Sequence, residues 1–306
     1  MNDHLGTKHR DNGAMSLAIV VVTYNSAEVL SGLLDSILPV IGEASSTAVL
    51  VVDNDSNDGS AEIAEAHAVG AKVIRTGRNG GYAAAINAAA ATLPPQTAIL
   101  VLNPDIRLVP LSLEHMIDCA ASNNDIGVVV PRMLDPDGTI AMSLRREPSL
   151  VGMWAQALLG PRTAAHLGLG EMIAHPEAYR HRREVDWATG AALLITPEAR
   201  ARAGAWDESF FLYSEEVDYQ RRVRASGLKI LYEPSASVTH IAGAYMQSPM
   251  LAALMTRNQI RYFRRHHGWL ETALFRCAIM VFGALRAWKS QAHRAVLRAC
   301  LGPVGS

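Results

Sequence analysis

Carboxylates close two short apolar runs of this chain, Val49-Leu-Val-Val-Asp-Asn-Asp-Ser-Asn-Asp-Gly59 and Ile99-Leu-Val-Leu-Asn-Pro-Asp105. Acids beyond the ends of buried strands suit the polar hydroxyls of a nucleotide sugar and a divalent cation, because open α/β sheets take ligands at that edge. Asp53 and Asp55 can accept hydrogen bonds from a nucleobase imide or a ribose; a loop of Asx turns leading into a helix cap explains them equally well. Asn103-Pro104-Asp105 offers a hard-cation ligand beside a diphosphate leaving group, or an ordinary strand-ending turn. A third cluster, Phe210-Phe-Leu-Tyr-Ser-Glu-Glu-Val-Asp218, sets three acids within four residues at a helix start. The helix dipole holds such carboxylates ionised, so one of them can serve as general base on an acceptor hydroxyl; a charged first turn is the plainer alternative. Glu215 and Asp218 share a helix face and Glu216 points elsewhere. His240 closes a short strand, where a lone histidine is more often structural than a ligand.

The elements that must position these residues follow from periodicity. Strands are expected at Leu17–Val22, Ala48–Val52, Lys72–Arg75, Ile99–Leu102 and Gly127–Val130. Helices are expected from Ser26 to about Pro39 and over Ser60–Ala68, 83–92 and Leu111–Ala121. This alternation predicts a doubly wound, mostly parallel sheet. Asp135-Pro-Asp-Gly138 predicts a hairpin turn. Residues 148–184 show no clean period and read as a variable, substrate-facing region. Beyond them the pattern predicts a strand over Val185–Ile195, a short helix opening at Pro197, a helix from Ser214 to Ser226, strands at Leu228–Tyr232 and Ala236–His240, and helices after Pro249.

Together these stretches resemble the family 2 glycosyltransferases, inverting enzymes of the GT-A fold, and within them the bacterial rhamnosyltransferase-like branch. The resemblance rests on Val22-Thr-Tyr-Asn25, Val52-Asp-Asn-Asp-Ser-Asn-Asp-Gly59, Asn79-Gly-Gly-Tyr82 with Asn87, Asn103-Pro-Asp105, Thr189-Gly190, Gly204-Ala-Trp-Asp-Glu208 and Glu215-Glu-Val-Asp218. It implies a GT-A (Rossmann-like) catalytic domain over 17–245, with a nucleotide-sugar half (17–131) and an acceptor half (132–245). A disordered leader (1–16) precedes it and a basic amphipathic helical region (246–306) follows. It implies that Thr23, Asn25, Asp53 and Asp55 hold the nucleoside with Arg78, Asn87 and Asn103. Asp105 stands at the last position of the family's metal-binding acidic motif and His240 at a position that ligates the metal in some relatives, so Mg²⁺ or Mn²⁺ is expected. Asn103 stands where many relatives carry Asp, which leaves fewer carboxylates on the cation. The base matches Glu216, with Glu215 an alternative because Glu is one methylene longer than the family's usual Asp. Asp218 and Arg222 support the base or orient the acceptor, and Trp187 and Trp206 line an acceptor groove or belong to the core.

The expected donor is a dTDP- or UDP-sugar, dTDP-L-rhamnose first, with galactofuranose or an N-acetylhexosamine as alternatives. A saccharide or polyprenyl-linked molecule is the expected acceptor. A non-catalytic nucleotide-sugar-binding protein is a reading of a different class.

Composition bounds the rest. The chain has 306 residues, 49% of them apolar and 19% charged, enough for a full core. Its net charge of −1 hides a basic tail: from Arg257 onward nine Lys and Arg face one acid, Glu271. That tail carries an apolar stripe, Leu274, Ala278, Val281, Leu285 and Trp288, and so is expected at an anionic membrane surface, on the catalytic domain, or in a homodimer interface. Arg257, Arg261, Arg264 and Arg265 are candidates for an acceptor diphosphate. Nucleic acid is not expected, because the basic tail does not set out its aromatics in the manner of a stacking platform. Three cysteines without metal-ligand spacing point to a reducing, cytoplasmic setting.

Overall fold

The computed structural model describes residues 16–41, 47–241 and 248–302; the expected leader lies, apart from Ser16, outside the described residues. Along the nucleotide-sugar half, strand and helix alternate as β1 (Leu17–Thr23), α1 (Ala27–Ile41), β2 (Ala48–Asp53), α2 (Ser60–Ala66), β3 (Lys72–Arg75), α3 (Tyr82–Ala90) and β4 (Ala98–Leu102). Next come β5 (Ile106–Leu108), α4 (Ser112–Ala121), β6 (Ile126–Leu134) and β7 (Leu144–Arg145). The segment without a period holds two helices, α5 (Leu150–Leu159) and α6 (Pro161–His166), before β8 (Arg183–Val185). The chain continues through β9 (Trp187–Ala188), β10 (Ala192–Ile195), α7 (Pro197–Ala203), α8 (Glu215–Ala225) and β11 (Lys229–His240). It closes with α9 (Pro249–His266), α10 (Trp269–Ala284) and α11 (Gln291–Leu301).

A nine-stranded sheet runs in the order β3-β2-β1-β4-β10-β6-β11-β5, with β8 added on β11. From β3 to β4 every pairing is parallel; β10 then enters antiparallel to both β4 and β6. The parallel character expected of the sheet thus belongs to its nucleotide-sugar half, and the acceptor half is mixed. Strands buried on both faces show the two-residue alternation of the pleat. Leu17, Ile19 and Val21 pack with Leu30, Leu33 and Leu34 of α1, while Val20 and Val22 pack with Ala83, Ala85 and Ile86 of α3.

Two expectations need revision, and one strand was not expected. The single strand over Val185–Ile195 is broken into parts of three: Val185 ends β8 on β11, β9 pairs with β7 in a separate small sheet, and after Thr189-Gly190 leaves the ladder β10 joins the main one. The two strands Leu228–Tyr232 and Ala236–His240 are one, β11, whose register slips between Glu233 and Ser237 around Pro234. Three-residue β5 was too short to give a periodic signal.

The C-terminal helices build a second core with α5: Met153 packs with Ala252, Ile260 and Phe263 of α9, Phe275, Ala278 and Ile279 of α10, and Val296 of α11. Ala278 of the expected apolar stripe is therefore buried, while Leu285 and Trp288 remain exposed. Arg221 and Arg224 of α8 and Tyr262 of α9 all donate to the carboxylate of Glu147. That knot ties the second core to the first.

Candidate active site

One edge of the sheet gathers the chemistry. Register places Thr23 beside Asp53 at the carboxyl ends of β1 and β2, and Leu102, the last residue of β4, opposite Ala192 at the start of antiparallel β10. β11 runs parallel to β6, so its last residue, His240, reaches the same edge, opposite Ile106 of β5. Residues 134 positions apart, Ile106 and His240, are thus neighbours.

On the nucleoside side, Thr23 and Asp53 are buried, and Thr23 Oγ1 and one oxygen of Asp53 find no partner among the described residues. Buried polar atoms are nearly always paired, so two orphans at a strand edge leave hydrogen-bonding capacity there for a ligand or water. The other Asp53 oxygen accepts from the Ser56 amide at 3.1 Å. Asn54 donates to the Gly81 carbonyl at 3.0 Å, which ties the end of β2 to the Asn79-Gly-Gly-Tyr82 turn. Beside these groups lies a cleft of about 510 Å³ lined by Asn54, Thr76, Arg78, Gly80, Asn87 and Glu208. Other expected nucleoside residues serve the loops: Asn25, at φ 49°, accepts from the Asn57 amide at 2.9 Å, and Asp55, at φ 67°, is exposed. Asn87 donates to the Trp206 carbonyl and to Glu208 and accepts from the Trp206 amide.

On the metal side, the Asn103 amide donates to the Ala191 carbonyl at 2.9 Å, and the Ile106 amide back to the Asn103 carbonyl at 3.2 Å. This Asn-Pro turn holds Asp105 with one oxygen 3.0 Å from Nε2 of His240 and the other buried without a partner among the described residues. A carboxylate oxygen lacking a partner next to an imidazole nitrogen fits a cation of the Mn²⁺ or Mg²⁺ class that takes its remaining ligands from phosphate and water. Among the described residues no third His, Cys, Asp or Glu completes such a set.

The acid cluster opens α8. Ser214 caps that helix at φ 73° without a side-chain bond, so the first-turn amides face Glu215 and Glu216. Gly190, one residue from Ala191, lies under Glu216: a Cβ there would sit 3.3 Å from Glu216 Cβ and 3.6 Å from the Tyr82 ring. Tyr82 donates its hydroxyl to the Gly190 carbonyl at 2.9 Å. The Asn103–Ala191 bond and the Gly190–Glu216 contact together bring the base candidate beside the metal turn. Gln220 sets the depth of α8: its amide accepts from the Ala188 amide at 2.9 Å and donates to the Ala188 carbonyl at 2.7 Å, as a strand would. Burial pushes the Glu216 carboxyl above its ordinary range, while first-turn amides and Arg145 pull it back. Burial also raises Glu215, and the neighbouring Glu216 charge adds to it. Glu171 is pushed up to about 7, chiefly by burial against the pull of Arg145.

Asp218 and Arg222 pair with each other at 2.8 Å, with Arg265 of α9 3.7 Å from Asp218. Trp187 and Trp206 correct the expectation of an acceptor groove, because both are core residues. Trp187 packs with Phe210, Val217 and Tyr262, and Trp206 stacks on Tyr219 with centroids 4.4 Å apart. Arg261 and Arg265, candidates for an acceptor diphosphate, donate to Ser209 and Asp207. Arg145, Glu171 and Gln220 were not singled out from the sequence: Glu171 lies in the unpatterned segment, and nothing local marks an amide that acts as a strand.

Comparison with known proteins agrees with this geometry. The model of "Glycosyl transferase family 2" matches residues 18–189. The chain is 31% identical over 277 residues, 84% of its length and 87% of the other, to N-acetylglucosaminyl-diphospho-decaprenol L-rhamnosyltransferase of Mycobacterium tuberculosis. Among solved structures it resembles GalNAc-T7 with UDP, GalNAc and Mn²⁺ (TM-score 0.64, 15% identity, 97% of this chain but only 53% of that one). It also resembles the mannosyltransferase PcManGT of Pyrobaculum calidifontis with GDP-Man and Mn²⁺ (TM-score 0.54, 15% identity, 95% and 76%).

Proposed function

The chain belongs to glycosyl transferase family 2, a nucleotide-sugar-dependent glycosyltransferase of GT-A fold, and from that membership we propose an inverting, metal-assisted L-rhamnosyltransferase. The donor is a dTDP- or UDP-sugar, with rhamnose favoured by the named activity of the mycobacterial relative. The acceptor is a hydroxyl of a saccharide on a polyprenyl diphosphate, and the product serves cell-envelope polysaccharide synthesis. The observation that carries the reading is the row of buried oxygens without a partner among the described residues, Thr23 Oγ1, one of Asp53 and one of Asp105, along a single sheet edge.

In this reading Thr23 and Asp53 hold the nucleoside, and Arg78 of the adjoining cleft faces the phosphates. Asp105 and His240 would hold the cation, which supplies charge neutralisation to the departing diphosphate. Glu216 takes the acceptor hydroxyl proton as that oxygen attacks the anomeric carbon. The bond to the diphosphate oxygen breaks on the opposite face, and the leaving group departs with the electron pair. One displacement inverts the centre. The expected test result is calorimetric: dTDP or UDP binds the full chain, binding weakens without Mn²⁺, and Asp105→Ala abolishes the metal dependence. Preference for GDP or ADP would overturn the donor assignment.

The same reading places the enzyme at the inner face of the plasma membrane. No helix of the described residues is long and apolar enough to cross a bilayer. Segments 148–170 and 272–302 contain no acid and carry six Lys and Arg, and they present exposed Val151, Leu158, Leu159, Leu167 and Trp288. Arg286 joins them by donating to the Gln156 and Ala157 carbonyls. Apolar side chains among basic ones suit an anionic bilayer surface. Vesicles containing phosphatidylglycerol are expected to co-sediment the protein and pure phosphatidylcholine vesicles not. Leu158→Glu with Trp288→Glu should abolish the difference, and equal sedimentation with both lipids would remove the proposal. A concentration-dependent dimer lost in the same variant would assign the face to a second copy instead.

A further inference from the structure

The segment that delivers Glu216 holds three of the six non-glycine residues with positive φ among the described residues. Phe211 has φ 62° and ψ −61°, with the Leu212 amide bonded to the Phe210 carbonyl at 2.7 Å. That is a γ-turn with positive φ at its centre, a rare and strained form, here on a bulky aromatic residue. Tyr213 (φ 69°) and Ser214 (φ 73°) follow in the left-handed region, and Glu215 opens α8. Three such residues in four persist only if their surroundings over-determine them.

Two partners do so. From the nucleoside side, the Tyr82 amide donates to the Phe211 carbonyl at 2.9 Å, so that this carbonyl occupies the space a Gly81 side chain would need. From the other side comes a single residue of α9. Asn258, buried, points its amide nitrogen at the carbonyls of Phe210 (2.6 Å), Leu212 (2.8 Å) and Tyr213 (3.2 Å). Backbone carbonyls turned the same way by a γ-turn and two left-handed residues would otherwise repel one another; the Phe210 carbonyl already accepts from the Leu212 amide, and one carboxamide with two N–H groups reaches it together with the Leu212 and Tyr213 carbonyls. Arg261 and Arg265 brace the preceding residues, with Arg265 over the Phe210 ring at 4.6 Å.

We infer that Asn258, in the C-terminal helical region, is a positioning residue for transfer: by clamping the 210–213 carbonyls it fixes where α8 begins, and hence where Glu216 stands over Gly190. The role rests on Glu216 as the base. α9 thereby belongs to the catalytic apparatus, and the nucleoside turn and the C-terminal helices grip the same strained loop from opposite sides.

The test uses the full chain with Asn258→Asp, which keeps the shape but turns an oxygen toward the three carbonyls, and Asn258→Ser as the variant to use if the first does not fold. Tyr262→Phe, which removes the hydroxyl bond from α9 to Glu147 but keeps the ring packed in its cluster with Phe210 and Val217, is the control for general loosening. Amide hydrogen exchange over 209–218 is expected to accelerate in the Asn258 variants by about tenfold or more while the central strands stay protected. Calorimetric affinity for dTDP and UDP with Mn²⁺ should stay within about twofold, and transfer or hydrolysis of the matching sugar nucleotide should fall in kcat by about 10²-fold at unchanged donor KM, the cost of a misplaced catalytic group. Tyr262→Phe should leave kcat and the 209–218 exchange as in the unmodified chain. Unchanged exchange over 209–218, or nucleotide affinity and kcat falling together, would overturn the inference. If the unmodified chain turns over no sugar nucleotide, the functional reading fails, and the exchange result alone decides whether Asn258 clamps the loop.

Discussion

Glu216→Gln is expected to lower turnover by about 10²–10⁴-fold, the usual contribution of a positioned base, while dTDP or UDP binding stays within a factor of two. Glutamine keeps the shape of the side chain and its packing on Gly190 but cannot accept the acceptor's proton. Glu215→Gln should be milder. Glu215 is buried with one oxygen unpartnered, so it is closed in where Glu216 is partly open. The two carboxyls titrate as a pair, and burial raises both. Because a base works only when deprotonated, kcat should climb with pH along a limb displaced above the ordinary carboxylate range. The limb should vanish from whatever residual rate Glu216→Gln retains. A Glu216→Gln protein with normal turnover, or Glu215→Gln showing the larger loss, would reassign the base.

Gly81→Ala is expected to cost about 3–5 kcal/mol of stability, the sum of backbone strain and overpacking at one atom, a large share of the usual margin. Gly81 adopts φ 87° and ψ −178°, a region open to little but glycine, and an added Cβ would lie 2.0 Å from the Phe211 carbonyl oxygen. Neither side can yield cheaply. Moving Gly81 breaks the Tyr82–Phe211 bond and the Asn54–Gly81 bond, and moving Phe211 disturbs the turn before Glu216. Gly77→Ala is the matched comparison: its φ is 68°, but nothing lies within 4 Å of the added carbon. It should cost only about 1 kcal/mol. Denaturant unfolding of both variants decides the point, and a Gly81→Ala protein as stable as Gly77→Ala would show the approach to Phe211 to be looser than described.

The elements that could be read from the sequence are those whose signal is local. β1, β2 and β4 are short apolar runs, the last two followed by carboxylates, and the helices between the strands carry apolar faces, so their bounds were found to within a residue or two. The pairing of Asp105 with His240 was foreshadowed only by resemblance, because nothing within either stretch says that β5 and β11 will set them side by side. The acceptor half was harder for the same reason. β9 and β10 are adjacent in sequence but part into two sheets at a glycine. Trp187 and Trp206 drew attention as large amphipathic side chains, and their type cannot tell a groove from a core. Asn258 gave no sign at all: beside Gln259 in a basic helix, its amide acquires meaning only once three distant carbonyls are turned toward it.

β10 has one more consequence. It lies in the sheet between β4 and β6, yet it is made after both. As the chain leaves the ribosome, the parallel nucleoside half can assemble from β1 to β4 on its own, while β4 and β6 emerge with a strand-wide gap between them. Until residue 195 appears, an open edge of β4 faces the cell's other nascent strands, the kind of exposure that invites mispairing. The strand that closes this gap also carries Gly190 and Ala191 to the metal turn. Completing the sheet and assembling the catalytic edge are therefore one event in the life of the chain, and a molecule that failed at the first would never display the second.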